Sequence, residues 1–521
     1  MHRFAFCGLI GLLLLVLTSC GLREDLDTVQ DITLRPEIAV PLLNTTFDID
    51  SLLPRLNEQG VTVGNEADGL ITLSFEDSLF RFSARELLLM NRFQVPVVDT
   101  VNEIPLPLLG GGQITSAAVR QGGFFYGFGI GAPGSYRMVI NLPDAQRNGQ
   151  PLTITREVSG PATVVGDTVL DGYEFVMPDG TFGFEYTLLN LDTGTEVEPQ
   201  AFAVGLDTTR FSSVEGRMNA HQASLQAART PTDFFRSFTG NSVQVVDPRM
   251  EVVIDNGIGL PLTVAFETFA GLNAAGDSVL LQNQTLADGL DLAYPRLSER
   301  GQLAQTTLRL DNSNANMSDL LALLPTHLGV RYRLSLRTPD AGQPQFIDED
   351  NLIHVRVRNE VPLHFSTPGL SYADTFRLNS EFPPSDLVEW AEFKLITENG
   401  LPLGSELQIY FFDENRQLID SLYDDGNRLF SPAAVNSEGL PTNVVPHELR
   451  VMLTRAEYDR FSQASFLGYR IFLNTTDQGA VPVKLTSGQQ LGIKLGLRAV
   501  INANRDLYDS LMNTTPVSGG Q

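Results

Sequence analysis

The sequence predicts a mainly β protein: tandem antiparallel β-sandwich-like modules with a few short helices. Three observations lead there. Leu491, Ile493, Leu495, Leu497, Ala499 and Ile501 alternate with Gly492, Lys494, Gly496, Arg498, Val500 and Asn502, the period-two pattern of a strand with one buried face. Shorter runs of the same kind lie at 136–140, 181–189, 250–254 and 406–411. Second, turn pairs punctuate the chain: Asp171-Gly172, Asp179-Gly180, Asn256-Gly257, Asn399-Gly400 and Asp425-Gly426. Third, an aliphatic–proline–aliphatic triplet recurs around Pro41, Pro96, Pro105, Pro261, Pro362, Pro402 and Pro482. Proline cannot donate to a sheet ladder, so each triplet is expected at a strand start or an edge.

Helical signals are sparse. The longest candidate is 212–229, ended by Pro231. A second is 317–324, with Asn316 as cap and Pro325 behind it. A third is 455–463, where Thr454 and Glu457 have capping-box spacing. A fourth is expected at 503–512.

Some triplets sit in a larger repeat. Asn102-Glu103-Ile104-Pro105-Leu106 matches Asn359-Glu360-Val361-Pro362-Leu363, and Asn141-Leu142-Pro143 and Asn399-Gly400-Leu401-Pro402 follow at similar distances. Asn256-Gly257 with Leu260-Pro261-Leu262 lies between them, and Asp277-Ser278 and Asp420-Ser421 follow Asn256 and Asn399 at equal spacing. The expected unit is strand, Asn-(Gly)-Leu-Pro turn, strand, acidic turn, strand, used three times. Asn141, Asn256 and Asn399 are expected at turn or positive-φ positions. The division that follows is 1–19 leader, 20–35 tether, 36–235 with the first copy, 236–345 middle module, 346–512 C-terminal module and 513–521 tail.

The N-terminus has the parts of a secretory signal: His2 and Arg3, then an apolar run from Gly8 to Leu17, then Thr18-Ser19. The run is too short to span a bilayer, which takes about 20 apolar residues. Leu17-Thr18-Ser19-Cys20 resembles the lipobox of bacterial lipoproteins. The resemblance implies cleavage before Cys20, lipid on its thiol, and permanent attachment to a membrane through two or three acyl chains. Gly21, where an aspartate favours inner-membrane retention in such families, implies the outer membrane. Arg23-Glu24-Asp25 is similar to the signal of surface-exported lipoproteins, or is a solvated tether. The membrane face is left open.

Composition sets further bounds. Hydrophobic residues make up 42% of the 521, enough for real cores rather than a disordered chain. With Cys7 in the leader and Cys20 lipidated, no cysteine remains for a disulfide or a thiolate metal site. The formal charge of −26 argues against nucleic acid as a partner, because such proteins carry basic patches.

Candidate chemistry is thin. Gly129-Ile130-Gly131-Ala132-Pro133-Gly134 fits G-x-G-x-x-G, but nucleotide binding needs a helix to follow. Residues 135–140 read as a strand, so a glycine-rich turn is expected and no cofactor is implied. His221, His327, His354, His364 and His447 show no paired spacing, and no hydrolase or metalloprotease motif occurs. Two acidic stretches supply oxygens of the kind calcium takes: one holds Asp348 and Asp350, the other Asp413, Asp420 and Asp424. Neither has EF-hand spacing, and solvated turns are the competing reading. Phe124, Phe125, Tyr126 and Phe128 form either an aromatic platform or cross-strand packing, with packing favoured; Trp390 is expected in a core.

The function these features suggest is an outer-membrane-anchored lipoprotein acting as a non-enzymatic binding or assembly module, with a cell-envelope protein or polysaccharide as partner. The alternatives are an envelope lipid-carrying protein with an apolar groove and a glycan-processing hydrolase. Facing carboxylates in a cleft would favour the hydrolase.

Overall fold

The computed structural model describes residues 37–48, 61–97, 103–104, 106, 112–219, 221–232, 238–240, 243–338, 344–377, 388–421, 427–461 and 463–501. Antiparallel sheets dominate, and the described helices are short: Gln284–Asp288, Met317–Ala322 and Arg455–Phe461, with 3-10 turns besides.

The largest sheet has 11 strands and is built around a long hairpin. Its inner strand, Gly123–Arg147, pairs with Gln150–Val169 on one side. On the other it pairs with Glu174–Val176, Glu185–Asn190 and Ala201–Leu206. Asn148 and Gly149 turn the hairpin with φ of 53° and 72°, the left-handed geometry that an Asn-Gly pair supplies at low cost. Phe124, Tyr126, Phe128 and Ile130 alternate into the core, as do Met138, Ile140 and Leu142 further along. Gln150–Val169 pairs with no other strand among the described residues, so it is the edge of the sheet.

The rest of the chain builds one unit twice. In the middle unit, Arg249–Asn256 lies between Leu352–Pro362 and Ala304–Leu310, and Ile71–Ser83 extends that sheet beyond Leu352–Pro362. The second sheet runs His221–Pro231, His327–Leu336, Leu262–Leu272, Ser278–Leu280. In the C-terminal unit, Val388–Asn399 lies between Gln490–Ile501 and Val445–Thr454, and Glu37–Asp48 extends the sheet beyond Gln490–Ile501. Its second sheet runs Leu370–Arg377, Phe466–Thr475, Leu403–Phe412, Leu418–Ser421. Strand for strand the order is the same. Helix Met317–Ala322 falls where Arg455–Phe461 falls, between corresponding strands. In the middle unit the two sheets meet through Phe80 and Tyr332, whose rings stack 3.7 Å apart. In the C-terminal unit Phe411 and Leu453, from opposite sheets, share a cluster. Each fully buried large apolar side chain stabilises such a core by about 1.5–3 kcal/mol.

Two of the three repeat asparagines explain the unit. Asn399, fully buried, ends its strand; its amide donates to the carbonyls of Leu401, Leu403 and Ser431, and its oxygen accepts from the Leu401 amide. Asn256 does the corresponding job, accepting from Ile258 and donating to the Ala293 carbonyl. Neither has a positive φ; each holds the chain as it crosses from one sheet to the other. Asn141 departs from the expectation. It lies inside the long strand, half-buried, bonded to Glu185 and Thr153.

Several expectations are corrected. The described residues of 212–229 form no helix; 212–217 and 221–229 fall in the strands Thr209–Arg217 and His221–Pro231. The ladders to Gln113–Gln121 and to His327–Leu336 override the local helical pattern, as tertiary pairing commonly does. The glycine-rich segment 129–134 is no turn; it lies within the long strand at a register shift between Ile130 and Gly134. The domain limits 36–235, 236–345 and 346–512 do not follow the sheets. Glu37–Asp48 closes the C-terminal unit, Ile71–Ser83 and Leu352–Pro362 belong to the middle one, and Gln345–Asp348 joins the 11-stranded sheet. Trp390 faces outward, half-buried, with the Arg498 guanidinium 5.3 Å from its ring.

Other expectations hold. Most triplet prolines sit as expected: Pro41 and Pro96 on edge strands, and Pro261, Pro402 and Pro482 just before strands; Pro362 departs, ending an inner strand, and Pro105 lies outside the described residues. The Thr454–Glu457 capping box forms, with Glu457 accepting from the Thr454 amide at 2.7 Å and Thr454 Oγ1 accepting from the Glu457 amide at 3.4 Å. The leader, Cys20, the tether and 503–521 lie outside the described residues.

Candidate binding cleft

At the open end of the long hairpin the sheet presents a cleft of about 560 Å³. It is built from the start of the inner strand (Gly123, Phe124, Phe125), the end of the edge strand (Val165 to Val169), Gln121 at the end of the strand Gln113–Gln121, Arg92, and the loops carrying Asp171, Asp207 and Thr208. Alternation positions its aromatic. Phe124 and Tyr126 go to the core, so Phe125 points to the outer face. Gly205 of the neighbouring strand makes room for it: a Cβ there would fall 2.6 Å from the Phe125 ring. The Arg92 guanidinium sits 4.4 Å from the ring centroid, a cation–π contact.

Three carboxylates accompany this platform. Asp171 accepts from the Gly122 amide at 3.0 Å, and the Arg147 side chain donates to the Asp171 carbonyl. Asp207 accepts from the Thr208 amide at 2.8 Å. Asp167 stands on the edge strand opposite Phe125. Thr168, Thr208 and Gln121 add hydroxyl and amide groups. The cleft therefore combines one cation held on an aromatic face with an excess of negative charge.

The residues singled out for calcium are engaged otherwise. Asp348 is paired by Arg300, which also bonds Glu215; Glu349 is paired by Arg120, and Asp350 by Arg85 at 3.1 Å. Asp413 accepts from the amides of Asn415 and Gln417, each at 2.8 Å, closing its own turn. Asp420 is paired by Arg460, and Asp424 lies outside the described residues. Among the described residues no three histidine, cysteine, aspartate or glutamate side chains gather as a metal site.

The histidines are dispersed over separate elements. His354 bonds the Ser78 hydroxyl at 2.9 Å, and His447 Nε2 lies 3.0 Å from the Arg428 carbonyl. His354 borders an ion-pair lattice on the outer face of the middle unit. There Arg356 joins Glu76 and Asp255, Arg358 joins Glu76 and Glu251, and Arg309 joins Glu251. Burial, with Arg81 and Arg356 nearby, pushes His354 below the ordinary histidine range. Burial alone would raise Asp255, but hydrogen bonds from Gln305 and Arg356 outweigh it and hold the carboxyl below its usual range. Ladders of this kind clothe a solvated sheet face.

Sequence reasoning found the aromatic run but missed the cleft. Period two separates Phe125 from its neighbours, so that residue was legible. Arg92, the Asp167–Asp171 stretch and Asp207 come from three separate segments, and only the fold gathers them.

The chain matches no family profile and no curated protein. Among solved structures it is similar to a protein of Parabacteroides distasonis described as a candidate secreted protein, at 12% identity over 89% of this chain and 99% of that one, with a TM-score of 0.25. It is also similar to a particle derived from infectious bursal virus, at 10% identity over 77% and 72% with a TM-score of 0.14. Paired CBM22 domains from Paenibacillus barcinonensis match at 8% identity over 54% and 93%, with a TM-score of 0.13. Likeness at this level carries no argument about function.

Proposed function

We propose that the chain is an exported, lipid-anchored envelope protein that works as a binding module, held at the outer membrane by acyl chains on Cys20. Its N-terminal sheet presents the Phe125 cleft to a cell-envelope protein or polysaccharide. The observation that carries this reading is the cleft itself: an aromatic–cation platform beside acceptor side chains, mounted on the long hairpin. Such sites orient a polar partner by stacking and hydrogen bonding. The lipobox-like Leu17-Thr18-Ser19-Cys20 supports the anchor.

One observation favours a hydrolase instead, because Asp167, Asp171 and Asp207 share the cleft. Against it, Asp171 and Asp207 each bond a backbone amide, a task that shapes loops. The test joins two measurements on intact cells. Cys20→Ala is expected to move the protein out of the membrane fraction. A photocrosslinker at Phe125 is expected to capture an envelope component that an Arg92→Ala, Phe125→Ala variant crosslinked from position 208 does not. Retention of Cys20→Ala in membranes sinks the anchor, and turnover of a glycan abolished by Asp167→Asn sinks the binding module.

A further inference from the structure

We infer that the outer half of the hairpin edge, residues 162–169, accepts an extended peptide strand bearing a basic residue, which adds to the sheet beside the cleft. This rests on the binding-module reading and names its ligand class.

The first argument is the ladder. The Leu170 amide donates to the Gly122 carbonyl, and on the opposite side the amides of Asp207 and Gln200 donate to Gly123 and Gly129. Even-numbered residues of the inner strand therefore face the edge strand. Antiparallel alternation then turns the main-chain groups of Thr163, Val165, Asp167 and Val169 away from it. Among the described residues no strand pairs with them.

The second argument is protection. Natural sheets blunt long edges with proline, charge or bulges. The first half of this strand has all three: Pro151 and Pro161, the Arg156-Glu157 pair, and the register shift opposite Pro161. The second half, Ala162-Thr163-Val164-Val165-Gly166-Asp167-Thr168-Val169, has no proline and one charge. Val165 and Val169 are 78% and 62% exposed. An unguarded edge carrying outward valines is the template on which strand addition works, with main-chain bonds giving affinity and alternate side chains giving specificity.

The third argument selects the occupant. On the outer face Asp167 lies between Val165 and Val169, and Asp171 and Asp207 line the same cleft, whereas Arg92 is spent on Phe125. An incoming strand with an aliphatic–x–basic–x–aliphatic pattern matches Val165, Asp167 and Val169 in turn. A second copy of this chain fits worse, since two molecules of charge −26 repel.

The experiment uses the full-length chain in detergent and a probe labelled with fluorescein on its N-terminal amine, fluoresceinyl-Gly-Gly-Thr-Val-Thr-Lys-Thr-Val-Thr-amide, with a twin carrying Glu for Lys. The Lys probe is expected to bind at least about tenfold tighter than the Glu probe. Asp167→Lys is expected to invert that preference, and Val165→Pro, which removes an outward donor while leaving the ladder to the inner strand, to abolish binding of both. Hydrogen exchange of the wild-type segment 162–169 should slow when the Lys probe is present, a readout independent of any variant's folding. No binding at millimolar probe, an unaltered preference in Asp167→Lys, or unchanged exchange over 162–169 overturns the inference. A dimer in sedimentation that Val165→Pro dissolves overturns it in favour of self-association. If the probe fails while the Phe125 photocrosslink persists, this inference falls and the binding-module reading stands.

Discussion

Asn399 shows how one side chain can hold a module. It saturates four hydrogen bonds at the point where the chain crosses between sheets, out of contact with water. Asn399→Ala is expected to cost about 1–3 kcal/mol, the penalty for leaving buried main-chain groups unpaired. Asn256→Ala should cost a similar amount, whereas Asn141→Ala, on an accessible strand face, should stay within about 0.5 kcal/mol. Denaturant titration of the three variants checks this ranking, and equal costs at all three positions would contradict it. A second residue-scale expectation concerns pH. His354 has a depressed folded pKa against an ordinary value of 6.5, so the unfolded chain takes up its proton more readily. The stability it contributes is present above that ordinary value and is lost as pH falls through it toward the folded value. Between about pH 7 and about pH 5, His354→Gln should flatten the decline of stability with acid. An unchanged slope would assign the decline to other groups, His364 first, which burial also depresses.

At the scale of the element, the long hairpin decides where the cleft lies. Its turn needs a left-handed conformation at Gly149, with φ of 72°. Gly149→Ala should therefore destabilise by about 1 kcal/mol, and because Arg147, two residues before it, donates to the Asp171 carbonyl at the cleft, the change should also weaken peptide binding. Thermal melts and peptide binding measured on one preparation separate those effects. The Asn148-Gly149 pair is a hairpin signal in the sequence, flanked by apolar alternation. Residues 212–229 mislead in the opposite sense. Val214, Met218 and Leu225 have helical spacing, but Val214 and Met218 are buried by sheet neighbours 94 or more residues away in sequence, as the Ser212 hydroxyl bond to Ala118 illustrates. Local pattern cannot register such partners.

At the scale of the whole molecule, the chain threads its units rather than completing them in turn. Glu37–Asp48 covers Gln490–Ile501, and the Gln490 side chain donates to Asp48 across 442 positions of sequence. Deleting residues 37–48 should expose the edge of the C-terminal unit. Limited proteolysis is expected to cut first within 388–501, with the 11-stranded sheet holding longer. Even cleavage throughout would mean the units unfold as one.

The sequence by itself determined the strand content, the punctuation by proline and glycine, the α-helical cap at Thr454, and two of the three repeat copies. Each depends on residues within a few positions of one another, where periodicity, φ preference and local hydrogen bonding act directly. It also carried the lipobox-like motif, which rests on adjacent residues alone. Only the tertiary structure decided which strands close which unit, that Trp390 faces outward, and that arginines occupy the acidic stretches around Asp348 and Asp420. The cleft belongs with these. Arg92, Phe125, Asp167, Asp171 and Asp207 meet because sheet pairing sets their distances, and pairing across a hundred residues leaves no mark in local sequence.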